Sequence, residues 1–94
     1  MNKILLINRL NPSDVSDEKH RIFFMIGNMN DPETENKLID VLHSCDLIEP
    51  NDLVLKYNGV ELYLPIKHIP SIIKLLCMND FLIYEVYHPY NPEE

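Results

Sequence analysis

The residues best suited to metal binding or nucleophilic catalysis are four histidines, His20, His43, His68 and His88, and two cysteines, Cys45 and Cys77. His43 and Cys45 form an H-x-C pair with Asp40 and Asp46 close by in sequence. On a helix, residues i and i+2 face different sides, so that pair is poorly placed to share one ion. Asp40 and His43 meet at i, i+3, but two ligands do not make a zinc site. Cys–His catalysis needs an accessible, activated thiolate with a base and an orienting group. Cys45 and Cys77 both fall in apolar helical stretches, and the reading is two buried, reduced thiols acting as small hydrophobes. The acid pairs Asp17-Glu18 and Glu93-Glu94 are adjacent and loop-borne, which suits solubilising charge rather than a general acid and base. On this reading the chain is not an enzyme and has no catalytic, cofactor-binding or metal site.

Composition narrows the classes further. The 94 residues hold 8 basic against 15 acidic side chains, a net charge of −7. Direct nucleic-acid binding needs Lys and Arg to displace phosphate counterions, and an anionic membrane surface needs them too. No apolar run approaches the roughly 20 residues of a membrane span. Ile4–Ile7 is too short for a signal-peptide core. Hydrophobic content of 46% and charged content of 24% are ordinary for a globular chain. The expectation is one soluble, cytoplasmic domain over residues 1–94 that contacts neither nucleic acid nor membrane. The chain lacks Ala, Gln and Trp and is rich in Asn, Ile and Asp, a composition of AT-rich coding in bacteria or phages.

Strand-length apolar runs lie at 3–8 and 21–26. In the second, Ile22, Phe24 and Ile26 share one face by period two, and Phe23 and Met25 share the other. Between them, residues 11–18 read as a solvated acidic loop. Gly27-Asn28 ends the second strand. Asp31-Pro32-Glu33 is a helix start: the carboxylate caps free N–H groups, and proline in the first turn loses no hydrogen bond. Leu38, Val41, Leu42 and Cys45 give that helix its apolar stripe. Asn58-Gly59, between two alternating runs, predicts a type I′ hairpin. That turn sets Tyr57 opposite Val60, Lys56 opposite Glu61 and Leu55 opposite Leu62. It places Leu53, Leu55, Tyr57, Val60, Leu62 and Leu64 on one face, and Val54, Lys56, Glu61 and Tyr63 on the other. Ile69-Pro70-Ser71 starts a second helix with Ile69, Ile72, Ile73, Leu76 and Cys77 as its stripe, and Asn79 fits a left-handed cap. Phe81–Tyr87 alternates as the last strand: Leu82, Tyr84 and Val86 on one side, Ile83, Glu85 and Tyr87 on the other. His88–Glu94 reads as a proline-broken tail.

The order β-α-β-β-α-β after residue 20 predicts an α+β, ferredoxin-like fold. It is an antiparallel sheet with two helices on one face, plus an extra N-terminal strand at an edge. The opposite face would then show Phe23, Met25, Val54 and Tyr63 to water, an apolar patch of the kind that marks a contact surface.

The stretch from Lys56 through Tyr87 resembles the small C-terminal accessory domain of bacterial ABC-transporter ATP-binding subunits. The resemblance is carried by Ile69-Pro70-Ser71-Ile72-Ile73-Lys74-Leu75-Leu76 and Phe81-Leu82-Ile83-Tyr84-Glu85-Val86, followed by an acidic, proline-containing tail. The opening Lys3-Ile4-Leu5-Leu6 sits where such domains begin. The ATPase motifs of those subunits are absent: the chain has no Gly-rich phosphate loop and no Ser-Gly-Gly signature. The resemblance implies a domain for subunit association or regulation rather than ATP hydrolysis.

Three functions follow as expectations. The first is a non-catalytic interaction or regulatory module whose open sheet face, through Phe23, Met25, Val54 and Tyr63, takes a protein partner or a second copy. The second is a small acidic phage or mobile-element inhibitor that fills the basic groove of a nucleic-acid enzyme with carboxylates. The third, a ligand-sensing ferredoxin-like domain, lacks a Gly-rich loop, because Gly27 and Gly59 are the only glycines.

Overall fold

The structure is a computed structural model describing residues 7–90. Its elements are β1 (Ile7–Asn8), β2 (Lys19–Ile26), α1 (Pro32–His43), β3 (Leu53–Lys56), β4 (Gly59–Pro65), α2 (Ile69–Met78) and β5 (Ile83–Pro89), with 3₁₀ turns at Pro50–Asp52 and Ile66–His68. The strands form one open antiparallel sheet in the order β1-β5-β2-β4-β3. This small α+β arrangement is compatible with a ferredoxin-like fold.

Both helices begin where local chemistry directs. The Asp31 carboxylate accepts from the Glu33 N–H at 3.0 Å, and Pro32 occupies the first turn of α1. The apolar residues of α1 recur at helical spacing, so Leu38 and Leu42 face inward and are fully buried. Along α2, Ile69, Ile72 and Leu76 do the same. These side chains share one cluster with Ile22, Phe24 and Ile26 of β2 and Val60, Leu62 and Leu64 of β4, so both helices cover the same sheet face. Each such side chain taken from water contributes about 1.5–3 kcal/mol.

α2 ends differently from the sequence expectation. Asn79 has φ −102°, and the left-handed residue is Asp80 at φ 66°. The Phe81 N–H donates to the Leu76 carbonyl and the Asp80 N–H to the Cys77 carbonyl, the paired bonds of a Schellman ending. Phe81 is thereby turned into the core, where it is 7% exposed.

The hairpin also departs from expectation. Lys56 pairs with Gly59, Leu55 with Val60, Val54 with Glu61 and Leu53 with Leu62, around a Tyr57-Asn58 loop. Among the described residues only Asn28 and Asp80 have positive φ, so the turn is not type I′. Gly59 is required for proximity instead. A Cβ there would lie 2.1 Å from the Phe24 carbonyl oxygen, and the adjacent Asn58 carbonyl accepts from the Ile26 N–H at 3.0 Å. Relative to the expected pairing the register moves by two residues, which preserves the faces but separates Lys56 from Glu61. Tyr57, expected beside the core, is 90% exposed.

The last strand starts at Ile83, two residues later than expected, and it carries a bulge. Met25 pairs with Glu85 while Ile26 pairs with Ile83, leaving Tyr84 as the extra residue. Ile83 and Val86 therefore both pack toward the core, although strict alternation separates them. His88 and Pro89, expected in the tail, belong to β5 and pair with Asn8 and Ile7. Of the expected strand at 3–8, residues 3–6 lie outside the described residues, as do residues 91–94 of the expected tail.

Candidate interaction face

Because β2 and β4 alternate, the residues between their core positions point away from the helices. Register then assembles them into rows across four strands. One row is Val54, Glu61, Phe23 and Tyr87. The next is Lys56, Gly59, Met25 and Glu85. A third holds Tyr63 beside Arg21, and Lys19 follows on β2 opposite Pro65.

All four residues singled out from the sequence lie on this face, but they do not form the contiguous apolar patch expected. Phe23 is only 7% exposed, because the Tyr87 ring packs on it with centroids 5.4 Å apart. Glu61 stands between Val54 and Phe23. Met25 is half-buried beside Gly59, whereas Val54 and Tyr63 are 42% and 41% exposed.

The exposed Tyr63 ring is held by charge. Lys19 Nζ and Arg21 Cζ each lie 5.7 Å from its centroid, within cation–π range. Lys19 Nζ donates to Asp52 Oδ2 at 2.8 Å, and Arg21 reaches Glu61 Oε1 at 3.3 Å. The hydrogen bond to Asp52 raises the Lys19 ammonium above its ordinary pKa. At the other side of the face, burial pushes the Tyr87 phenol up, aided by the Glu85 and Glu61 carboxylates and by Tyr57. Phe23, Tyr87, Tyr57, Lys56 and Glu61 line most of a shallow cavity of about 330 Å³. The arrangement gathers rings, short aliphatic groups and paired charges on one face of the sheet.

Sequence reasoning did not assign Lys19, Arg21, Glu61 or Tyr87 to the site. Lys19 and Arg21 share parity with Phe23 and Met25 along β2, so alternation carried the signal once the strand is extended to residue 19. The packing of Tyr87 on Phe23 depends on the β2–β5 register and had no local signal.

The other candidate chemistry is dispersed. His20 and His88 meet edge to face at 5.2 Å between centroids, on the helix-covered side. His43 closes α1 at the surface, and His68 lies in the Ile66–His68 turn with a buried Nδ1. Among the described residues no three His, Cys, Asp or Glu side chains gather as metal ligands. Cys45 is half-buried beyond the end of α1, and Cys77 is exposed, contrary to the expectation for both. The fully buried positions of α2 are Ile72 and Leu76, and Cys77 lies one residue past that narrow stripe. A second, apolar cavity of about 430 Å³ lies between Leu10, with Pro12 and Val15 of the acidic loop, and Ile66, Ile69 and Pro70. Beside it, the Lys67 ammonium holds the Asp17 carboxyl below the usual aspartate range. No helix among the described residues is long and apolar enough to cross a membrane. Comparison with protein-family models, curated proteins and solved structures finds no match for this chain.

Proposed function

We propose that this chain is a non-catalytic interaction or regulatory module, of ferredoxin-like topology, whose binding surface is the open face of its sheet. One observation carries the reading: Tyr63 and Val54 are each about two-fifths exposed on the sheet face opposite α1 and α2. Around them, Asp52–Lys19 and Arg21–Glu61 pairs fix the Tyr63 ring in place before any partner arrives. A ring ordered in advance loses little conformational freedom on binding. The resemblance of 69–76 and 81–86 to transporter accessory domains adds a role in subunit association, and it rests on the residue pattern alone.

The test is a Val54→Ser/Tyr63→Ser double variant, measured for association by sedimentation, for capture of partners from lysate and for thermal unfolding. Association or capture should be lost while the melting temperature holds. A folded variant that associates and captures as before would place the binding surface elsewhere. Phe23→Ser does not serve here, because Phe23 is buried in the isolated chain.

The acidic-inhibitor reading is favoured by one distinct observation. The exposed carboxylates Asp31, Glu33, Asp40 and Asp46 lie on or just beyond α1, away from the open face. Replacing those four by Asn and Gln should abolish inhibition of a nucleic-acid enzyme, while leaving binding through the sheet face intact.

A further inference from the structure

The open face is charge-balanced in a chain that is not. Lys19, Arg21 and Lys56 stand there with Asp52, Glu61 and Glu85, three of the eight cations against three of the fifteen carboxylates. The entire surplus of seven negative charges therefore lies on the rest of the chain. A partner selected by strong positive charge would find no net attraction at this face. A second copy of the chain would meet no net repulsion there.

The rows are also self-complementary. A two-fold axis parallel to the strands, midway between β2 and β4, exchanges β2 with β4 and β3 with β5 while keeping each row in place. Lys56, at one end of its row, then faces Glu85 of the other copy, and Glu85 faces the other Lys56. In the same row Met25 faces Gly59, a side chain against a position that has none. In the next row Val54 faces Tyr87, and in the third Tyr63 faces Arg21, which brings a third cation to a ring that already holds two. Only Glu61 against Phe23 is not complementary, and Glu61 is already engaged by Arg21 of its own chain. The strands of the two copies run nearly aligned, the ordinary packing of two twisted sheets face to face. Each contact occurs twice, as an isologous interface requires.

We infer that the partner of this face is a second copy of the chain, docked about that axis, with reciprocal Lys56–Glu85 pairs fixing the register. The inference rests on the reading that the open face is the binding surface. The experiment is sedimentation equilibrium at low salt on the wild type, Lys56→Glu, Glu85→Lys, the double variant and an equimolar mixture of the two single variants. The wild type should show a concentration-dependent dimer. Each single reversal should weaken it about ten-fold or more, because like charges then meet at both symmetric positions. The double variant should return to within about three-fold of wild type, and the mixture should form a heterodimer tighter than either variant alone. Lys56 and Glu85 are exposed, so unfolding midpoints serve as the fold control. Tyr63→Lys, which sets ammonium against Arg21 of the other copy, is the second variant and should also dissociate the dimer.

A monomeric wild type at millimolar concentration would overturn the inference, as would a dimer indifferent to the reversals or a double variant without rescue. The two readings fail separately. If the wild type is monomeric yet Val54→Ser/Tyr63→Ser still abolishes capture of another protein, the face binds and the second copy is not its partner. If that double variant changes neither association nor capture, the face itself is excluded.

Discussion

The two faces of this sheet are built from the same strands, yet they are held together differently. On the helix-covered face Phe24, Ile22, Val60, Leu62 and Leu64 are all fully buried, and their contribution scales with apolar area removed from water. On the open face, Asp52, Lys19, Tyr63, Arg21 and Glu61 form a chain with one ring at its centre, a cation on each side of it and a carboxylate at each end. Ion pairs at a protein surface add little to stability, so this second set orders side chains more than it drives folding. The covered face is therefore where substitutions unfold the chain. On the open face the proposed function expects them to change binding instead.

The largest expected effect breaks the covered face. Phe24→Ala should destabilise by about 3–5 kcal/mol, since the cavity it leaves lies between the sheet and both helices. Against the marginal stability of a domain this size, urea unfolding should show a large loss or no folded baseline. If the midpoint barely moved, the core would lie elsewhere.

Gly59 lies where the two faces share one backbone, and it sharpens the comparison. Gly59→Ala sets a methyl against the Phe24 carbonyl, and the strands must separate, at about 1–3 kcal/mol. Asn58→Gly should bring no gain, because the loop needs no positive φ. A stable Gly59→Ala protein together with a stabilised Asn58→Gly protein would restore the type I′ turn.

Substitutions on the open face should matter less to folding. Val54→Ser and Tyr63→Ser should each stay within about 1 kcal/mol of wild type by chemical denaturation. Loss of several kcal/mol would mean that this face stabilises the monomer and is not reserved for a partner.

The smallest effect lies off both faces. Asp17 and Asp14 have carboxyls held below their ordinary values, Asp17 by Lys67 and Asp14 by hydrogen bonds from Ser16. A depressed folded-state value stabilises above the unfolded-state value and is lost as pH falls through the folded one. Asp17→Asn should therefore lower stability slightly at neutral pH and flatten its fall below about pH 4, the two proteins converging in acid. A change confined to alkaline pH would contradict the assignment.

How much was legible in the sequence depends on the reach of each signal. Asp31-Pro32 announced α1 and Ile69-Pro70 announced α2, because capping and proline geometry act within one turn. Alternation in β2 and β4 identified the core side of Ile22, Phe24, Leu62 and Leu64, since side-chain direction in a strand has period two. Those same periods placed Phe23, Met25, Val54 and Tyr63 together on the opposite side.

Other features were decided only when distant segments met. The hairpin register depends on Gly59 fitting against Phe24, a contact across 35 positions that no local turn preference encodes. The bulge at Tyr84 lets Ile83 and Val86 reach one core, so packing overrode alternation. Phe23 is covered because β5 brings Tyr87 beside it, and Glu61 left its expected partner Lys56 for Arg21 because β2 lies on the other side of β4. Local chemistry determined where the two helices start and which way the side chains of β2 and β4 point. Which side chains meet was settled by how closely neighbouring backbones can approach, and that is a property of pairs of segments that a single window of sequence does not contain.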